Sequence, residues 1–304
     1  MRIKALIVCC VQLLSIKGVL ADEDNQSVII TPTLDDNFTY AAFKFWEPHF
    51  DHKINGIIAL LPGWSGDGTE LTDNQSWRQL ASKMNCALVS CTFQSDANMP
   101  DYYLAEHGSG RALITAIEVY GLKHSWEGCD QLPIALCGHS AGGEFAFNFS
   151  RWAPKRVVAV VAIKGGFYEN PDSPELFRIP ILFITGQHDE GYRQNALKSL
   201  FYTGRVKNAP WCIASDHLGH EIGKAYDLAI PFIEGSFRLR NPEENVFADS
   251  TQIMEPLDLN AGILVNILGD QSCNPAEYTG LPEDMLWSPD EHFAAVLHSY
   301  NRGN

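Results

Sequence analysis

The sequence predicts a doubly wound α/β domain built on a mostly parallel sheet of eight strands, with a small C-terminal extension. Short apolar runs alternate with segments of helical spacing, the central runs are apolar on both faces, and most connections are short. Continuous apolar strands are typical of parallel sheets covered by helices on both sides, and repeated strand and helix segments specify such a sheet. The predicted strands are 28–31, 40–45, 57–61, 87–93, 134–137, 157–163, 181–185 and 211–214.

The order of the elements supports this interpretation. The first two strands flank a polar turn at 35–37 and are expected to pair antiparallel. The later strands alternate with helices, which the spacing of apolar residues predicts at 74–85, 111–120, 144–152 and 222–237. The irregular polar segment between residues 93 and 111 follows the carboxyl end of a strand, so it is expected to lie over a site at that edge of the sheet.

The chain length fits one domain with an appendage. With 304 residues and 45% hydrophobic content, the chain can bury the core of an α/β domain of about 250 residues. We assign residues 22–240 to this domain. Residues 241–304 form an extension with an apolar run at 261–268 and a terminal helix at 289–300, which is expected to pack on the domain or add an edge strand.

Residues 1–21 have the pattern of a secretory signal peptide. Arg2 and Lys4 form a basic start, residues 5–16 are largely apolar, and residues 19–21 are a small-residue cleavage site. The apolar stretch is too short to span a bilayer, and the alternative interpretation is an uncleaved anchor. The sequence therefore predicts a secreted or periplasmic protein that has no membrane association after cleavage.

The charge of the chain disfavours polyanionic partners. The formal net charge is −15, and loss of the signal peptide would leave 19 basic and 37 acidic residues, a balance of −18. Since basic residues provide most of the affinity for nucleic acid and anionic membranes, neither is an expected partner. Neutral or weakly polar substrates are favoured.

Eight cysteines are present, and six would remain after cleavage. An even number in an exported protein permits disulfides, but three of the six lie in predicted core strands, where buried thiols are equally ordinary. The spacing does not determine a pairing. There is no C-x-x-C or H-E-x-x-H spacing, so we predict neither a metal site nor a cofactor. The six cysteines that would remain after cleavage are Cys86, Cys91, Cys129, Cys137, Cys212 and Cys273.

The stretch from Gly138 to Gly142 is a G-x-S-x-G motif between a predicted strand and a predicted helix. At such a turn the serine has a strained backbone conformation, which lifts its hydroxyl out of the sheet. Glycine is needed two residues before and after it because side chains there would collide with neighbouring elements. This context makes Ser140 a candidate nucleophile.

A serine nucleophile needs a base, and the base needs a third group to orient it. Asp189 follows the strand at 181–185 and is the candidate acid, with Glu190 as the fallback; an aspartate in this position can also cap a helix. His217 and His220 both follow the last strand. We favour His220, because Gly219 permits a sharp turn and a helix is expected to begin at residue 221.

Acyl transfer also requires two backbone donors for the oxyanion. One candidate is the amide of Ala141 at the start of a helix, and the other is the amide of Trp64, in the glycine-rich loop after the strand at 57–61. The Trp64 indole would then form a wall of the acyl pocket, although it could also be a core aromatic. Ser65 and His139 are further candidate substrate-binding residues, with the His139 side chain expected to point away from Ser140.

With these motifs the chain resembles the α/β-hydrolase superfamily over residues 28–240. It is similar to secreted esterases of the dienelactone hydrolase, feruloyl esterase and polyhydroxyalkanoate depolymerase group, whose proline–glycine–aromatic oxyanion loop resembles residues 62–64. Dienelactone hydrolases carry a cysteine where Ser140 stands, and the extension is no part of the minimal family. The resemblance implies an α/β-hydrolase fold and a serine carboxylic-ester hydrolase with an acyl-enzyme intermediate.

The substrate is less constrained than the reaction class. The short segment at 164–180 leaves no room for a helical lid, which suits a bulky or polymeric ester such as a polysaccharide-linked ester or a polyester. Two alternatives remain open. One is a serine peptidase on the same fold, although no charged anchor for a peptide terminus is visible, and the other is a non-catalytic binding protein.

Overall fold

The computed structural model describes residues 19–21, 26–48, 53–96, 98, 101–240, 257–267 and 271–303. Its central sheet has nine strands in the order β1-β2-β3-β5-β4-β6-β7-β8-β9. The first three neighbouring pairs, β1–β2, β2–β3 and β3–β5, are antiparallel. Every later pair in this order, beginning with β5–β4, is parallel. The strands are β1 (Val19–Ala21), β2 (Ser27–Ile30), β3 (Tyr40–Trp46), β4 (Gly56–Leu61), β5 (Cys86–Gln94), β6 (Ile134–His139), β7 (Val157–Ile163), β8 (Ile181–Gly186) and β9 (Trp211–Asp216).

The eight predicted strands are thus confirmed, and the structure adds β1 at the sheet edge. This strand consists of the last three residues of the predicted signal peptide. Residues 1–18 of that segment, and residues 22–25 after it, lie outside the described residues.

In the described part of the chain, five α-helices accompany the sheet: α1 (Gln75–Met84), α2 (Ser109–Lys123), α3 (Ala141–Trp152), α4 (Gly191–Val206) and α5 (Ala225–Arg240). Four were predicted. Helix α4 was not predicted, although its buried residues Leu197, Leu200, Phe201 and Gly204 recur at helical spacing. Helix α5 begins at Ala225 rather than near residue 222, because Gly223 has a φ of +55° and interrupts helical geometry. None of the described helices combines the length and hydropathy that crossing a bilayer requires.

The core lies on both faces of the sheet. Every residue of β4, β7 and β8 is buried, as their continuous apolar sequences predict. Because β4 to β9 run parallel, the loops after their carboxyl ends meet at one edge. This arrangement brings together the loops that carry Trp64, Ser140, Asp189 and His220.

The C-terminal extension forms a second, antiparallel sheet from β10 (Ile263–Asn266), β11 (Ser272–Cys273) and β12 (Met285–Ser288), followed by α6 (Glu291–Gly303). The apolar run at 261–268 therefore contributes a strand to this sheet and not to the central one. Phe232 of α5 contacts the rings of Trp287 and Phe293 at centroid distances of 6.1 and 5.2 Å. These contacts hold the extension against the α/β domain.

Five of the six cysteines that follow the predicted leader are buried, and Cys273 is half-buried. Among the described residues none of these six forms a disulfide. Burial raises the pKa of the thiols of Cys86, Cys91, Cys137 and Cys212, so they stay protonated and unreactive in the folded protein.

Arg205 of α4 is a buried cation that joins the domain to the extension. Its guanidinium donates to the carbonyl of Met285 from Nε at 2.9 Å and to that of Pro282 from Nη2 at 3.0 Å, and it also donates to the carbonyl of Ala209. Burial lowers the pKa of Arg205 to about 10, which leaves it charged at neutral pH.

Arg205→Met should lower the free energy of unfolding by about 3 kcal/mol, because buried carbonyls would lose their donor. Urea denaturation measures this loss. Lys198→Met, at an exposed position of the same helix, is the control and should stay within about 0.5 kcal/mol of the parent protein. Equal stability of the two variants would contradict the conclusion that Arg205 joins the domain to the extension.

Candidate active site

Ser140 occupies a sharp turn between β6 and α3. Its φ and ψ are +54° and −125°, a conformation that is strained for any residue other than glycine. A methyl group at Gly138 would lie 2.1 Å from the Gly142 carbonyl oxygen, and one at Gly142 would lie 2.4 Å from the oxygen of Leu61. Neither position has room for a side chain, which is the physical reason for the glycines of the motif.

The structure brings the three predicted catalytic side chains together. Nδ1 of His220 lies 3.0 Å from Oδ2 of Asp189, and Nε2 of His220 lies 2.9 Å from Oγ of Ser140. An ionised carboxylate only accepts hydrogen bonds, so Nδ1 carries the proton in the neutral imidazole and Nε2 is left to accept from the serine hydroxyl. This geometry suits a base aimed at the hydroxyl proton.

Asp189 is almost fully buried and well supplied with donors. The Glu190 amide donates to its Oδ1 at 2.7 Å, and Nη1 of Arg193 lies 3.2 Å from the same atom. Burial acts to raise the pKa of Asp189, but the hydrogen bonds from His220 and Glu190 outweigh it and lower the pKa below its usual value. The Glu190 carboxylate is exposed and pairs with Arg193 at 3.7 Å, so the fallback acid takes no part in this chain of bonds.

Of the two candidate bases, only His220 reaches Ser140, while His217 is exposed. The sequence argument for His220 was wrong in one respect. No helix begins at residue 221, since residues 221–224 form turns before α5. The loop is instead held in place by two side chains at the carboxyl ends of β6 and β7.

His139 is one of these side chains. Its Nε2 lies 2.6 Å from the carbonyl oxygen of His220, and the two rings are 4.8 Å apart. The ring therefore does not point away from the catalytic groups as expected, because it binds the backbone of the candidate base; its contact with substrate stays a prediction. Burial lowers the pKa of His139 to about 4, and the hydrogen bond to His220 only partly offsets this effect.

Lys164 is the second side chain, and sequence reasoning missed it. It is fully buried, and its Nζ lies 2.9 Å from Oδ1 of Asp216 and 2.6 Å from the carbonyl oxygen of Glu221. Tyr300 of α6 reaches the other oxygen of Asp216 at 3.3 Å. A lysine placed directly after the fully apolar run 157–163 was the available signal, because a buried charge requires a partner.

The loop after β4 lies against the serine. A methyl group at Gly63 would lie 3.6 Å from Cβ of Ser140. The following residues, Trp64 and Ser65, are exposed, and Ser65 has a φ of +51°. Ala141 is the first residue of α3, so its N–H has no acceptor within the helix. The amides proposed for the oxyanion therefore lie on two segments that flank Ser140.

In the described part of the chain, no group of three or more histidine, cysteine, aspartate or glutamate side chains could hold a metal ion. The chemistry that this arrangement of residues can perform is nucleophilic attack by an activated serine hydroxyl.

His139→Gln should make stability less dependent on pH. The unfolded histidine titrates near 6.5 and the folded one near 4, so the unfolded state binds more protons between these values and the free energy of unfolding falls as the pH falls. Urea denaturation should show that the free energy of unfolding falls between pH 7 and pH 5 by about 1–2 kcal/mol less in the variant than in the parent protein. Identical pH slopes would refute the depressed pKa.

Lys164→Met should cost about 3–5 kcal/mol of unfolding free energy, because it leaves the Asp216 carboxylate buried without its cation. Adding Asp216→Asn should restore part of the loss. Guanidinium denaturation measures both variants. If Lys164→Met were as stable as the parent protein, the buried pair would not support the loop that carries His220.

No protein-family model matches the chain, and no curated protein sequence matches it. Solved structures do match. A ferulic acid esterase has a TM-score of 0.52 at 14% identity, covering 70% of this chain and 99% of its own. The fluorophosphonate-binding serine hydrolase F of Staphylococcus aureus, with bound substrate, has a TM-score of 0.50 at 15% identity, covering 68% of this chain and 97% of its own. Poly(aspartic acid) hydrolase-1 of Sphingomonas sp. KT-1 has a TM-score of 0.51 at 14% identity, covering 71% of this chain and 98% of its own. At these identities the likeness concerns the fold, and together with the strand order it shows that the chain has the α/β-hydrolase fold.

Proposed function

We propose that this protein is a serine carboxylic-ester hydrolase that acts through an acyl-enzyme intermediate. The observation that carries the proposal is the chain of hydrogen bonds from Asp189 through His220 to Ser140, at 3.0 and 2.9 Å, at a strained turn between strand and helix. The fold agrees with this activity, since similar structures include a ferulic acid esterase and a fluorophosphonate-binding serine hydrolase.

In the acylation step, Oγ of Ser140 attacks the ester carbonyl carbon while Nε2 of His220 takes the hydroxyl proton. The carbonyl oxygen becomes an oxyanion and accepts hydrogen bonds from the amides of Ala141 and Trp64. The ionised Asp189 stabilises the imidazolium through Nδ1–H. His220 then gives its proton to the leaving alcohol as the carbon–oxygen bond breaks, and the acyl group remains on Ser140.

Deacylation repeats these steps with water. His220 takes a proton from water, whose oxygen attacks the acyl carbon, and the resulting oxyanion is held by the same two amides. Collapse of this intermediate breaks the bond to Ser140, whose oxygen recovers the proton from His220. The products are a carboxylic acid and the free enzyme.

The surroundings of Ser140 favour a bulky, uncharged ester, such as a polysaccharide-linked ester or a polyester. The segment between β7 and β8 contains only one short helical turn, Leu176–Arg178, and no helical lid. A polyanion such as poly(aspartic acid), on which one structural neighbour acts, is disfavoured by the net charge of −15. Export to the periplasm or outside the cell, as residues 1–21 predict, would give access to such polymers.

Labelling with a fluorophosphonate tests the nucleophile. The parent protein should be labelled and should hydrolyse p-nitrophenyl acetate, and Ser140→Ala should abolish both. His220→Ala should lower kcat about 10⁴-fold or more, because the hydroxyl loses its base. His217→Ala is the matched control on the same loop and should change kcat less than threefold.

Each contrary result has a defined meaning. Absence of labelling in the parent protein would favour a non-catalytic binding protein. Faster hydrolysis of p-nitrophenyl amides than of the matched esters would favour a peptidase. A larger loss in His217→Ala than in His220→Ala would reverse the assignment of the base.

A further inference from the structure

Four aromatic side chains, three from loops and one from the first turn of α4, form a continuous row, which we call the aromatic row: Trp64, Tyr103, Phe167 and Tyr192. Neighbouring ring centroids are 6.3, 6.1 and 5.5 Å apart, and the rings of Tyr103 and Phe167 are nearly parallel. Trp64, Phe167 and Tyr192 are 48%, 55% and 41% exposed. A contiguous exposed apolar surface of this kind is uncommon unless it binds something.

The aromatic row borders Ser140. Its members follow the carboxyl ends of β4, β5, β7 and β8, which surround the turn after β6. A methyl group at Gly165, two residues before Phe167, would lie 3.0 Å from the carbonyl oxygen of Ser140. Tyr192 comes three residues after Asp189. A substrate held at Ser140 can therefore extend over these rings.

The Trp64 end of the row is anchored in the core. The indole stacks on the buried ring of Tyr102 at 5.0 Å, and Tyr102 in turn stacks on the buried ring of Phe93 at 5.3 Å. The Tyr102 hydroxyl also donates to the Gly63 carbonyl at 3.4 Å. Trp64 is thus oriented before any ligand arrives, which lowers the entropic cost of binding.

Helix α3 holds the middle of the row. The buried carboxylate of Glu144 accepts hydrogen bonds from the amides of Gly166 and Phe167 at 2.7 and 3.1 Å. Asn148, one turn further along, donates to the carbonyl of Tyr103 at 3.0 Å. The helix that begins at the nucleophile therefore fixes both neighbouring aromatic loops.

The charges beside the row decide what it can bind. The guanidinium of Arg193 lies 4.8 Å from the ring centre of Tyr192, but it is paired with Asp189 and Glu190. It is therefore not available to an anionic ligand, and the net negative charge of the chain repels one. The faces of the rings are suited to an uncharged ring with an apolar face.

We propose that the aromatic row binds uncharged rings on the part of the substrate that flanks the scissile ester. This inference rests on the proposed function and narrows its substrate class to esters that carry aryl or sugar rings. Each stacked pair of rings should contribute a factor of about two to ten to kcat/KM.

Two matched pairs of esters, followed by pH-stat titration, test the proposal. The first pair compares methyl 3-phenylpropanoate with methyl heptanoate, and the second compares mono-acetylated methyl glucoside with mono-acetylated hexitol. We expect the ring-bearing ester to have at least a tenfold higher kcat/KM in at least one pair, and that pair identifies the ring as aryl or sugar. Ratios near one in both pairs would overturn the inference.

Substitutions in the aromatic row should lower the ratio of kcat/KM for the ring-bearing ester to kcat/KM for its ring-free partner. Phe167→Leu keeps an apolar side chain but loses the ring face, and it should reduce the ratio at least threefold, as should Tyr192→Ala. Tyr202→Ala is the control, because Tyr202 is a 51% exposed tyrosine on the same helix as Tyr192 but lies outside the row. An equal reduction in the control would contradict the proposal.

Failure of this inference can be told apart from failure of the proposed function. If methyl heptanoate is hydrolysed and Ser140→Ala abolishes the reaction, the hydrolase assignment holds whatever the ratios are. If neither pair is hydrolysed but p-nitrophenyl acetate is, in a Ser140-dependent way, the inference alone fails; if none of these esters is hydrolysed and Ser140 is not labelled, the proposed function fails and the inference fails with it.

Discussion

The close approach of the backbone on both sides of Ser140 is the constraint on which the rest of the site depends. Gly138 and Gly142 lie so near neighbouring carbonyls that no side chain fits, and this packing holds Ser140 at a positive φ. Helix α3 begins directly after the turn, so Glu144 and Asn148 also take their places from it. The position of the nucleophile and that of the aromatic loops are thus set by one local conformation.

Two buried carboxylates support the loop of His220 in different ways. Asp189 binds Nδ1 of the ring, whereas Asp216 binds the ammonium of Lys164, which holds the backbone next to His220. Both are buried, and each is compensated by its own cation or donors, as a buried charge must be. The first orients the imidazole, and the second fixes the loop that carries it.

Local patterns were enough to predict the eight strands and the residues that meet at Ser140, because apolar runs and glycine spacing reflect constraints that act within a few residues. Helix α4 was missed although its buried residues stand at positions i, i+3, i+4 and i+7, which is a local signal of the same kind. The roles of His139 and Lys164 depend on contacts between residues 52 or more positions apart: His139 contacts His220, and Lys164 contacts Asp216 and Glu221. No spacing in the sequence encodes such contacts.

The buried thiols have a consequence for biogenesis. In the folded protein Cys86, Cys91, Cys137 and Cys212 are shielded by the sheet and its helices. Under the proposed export of an unfolded chain, these sulfurs enter an oxidising compartment before that shield exists. The sheet must then form before these thiols oxidise, so the rate of folding, rather than the stability of the final structure, would decide how much native protein is recovered.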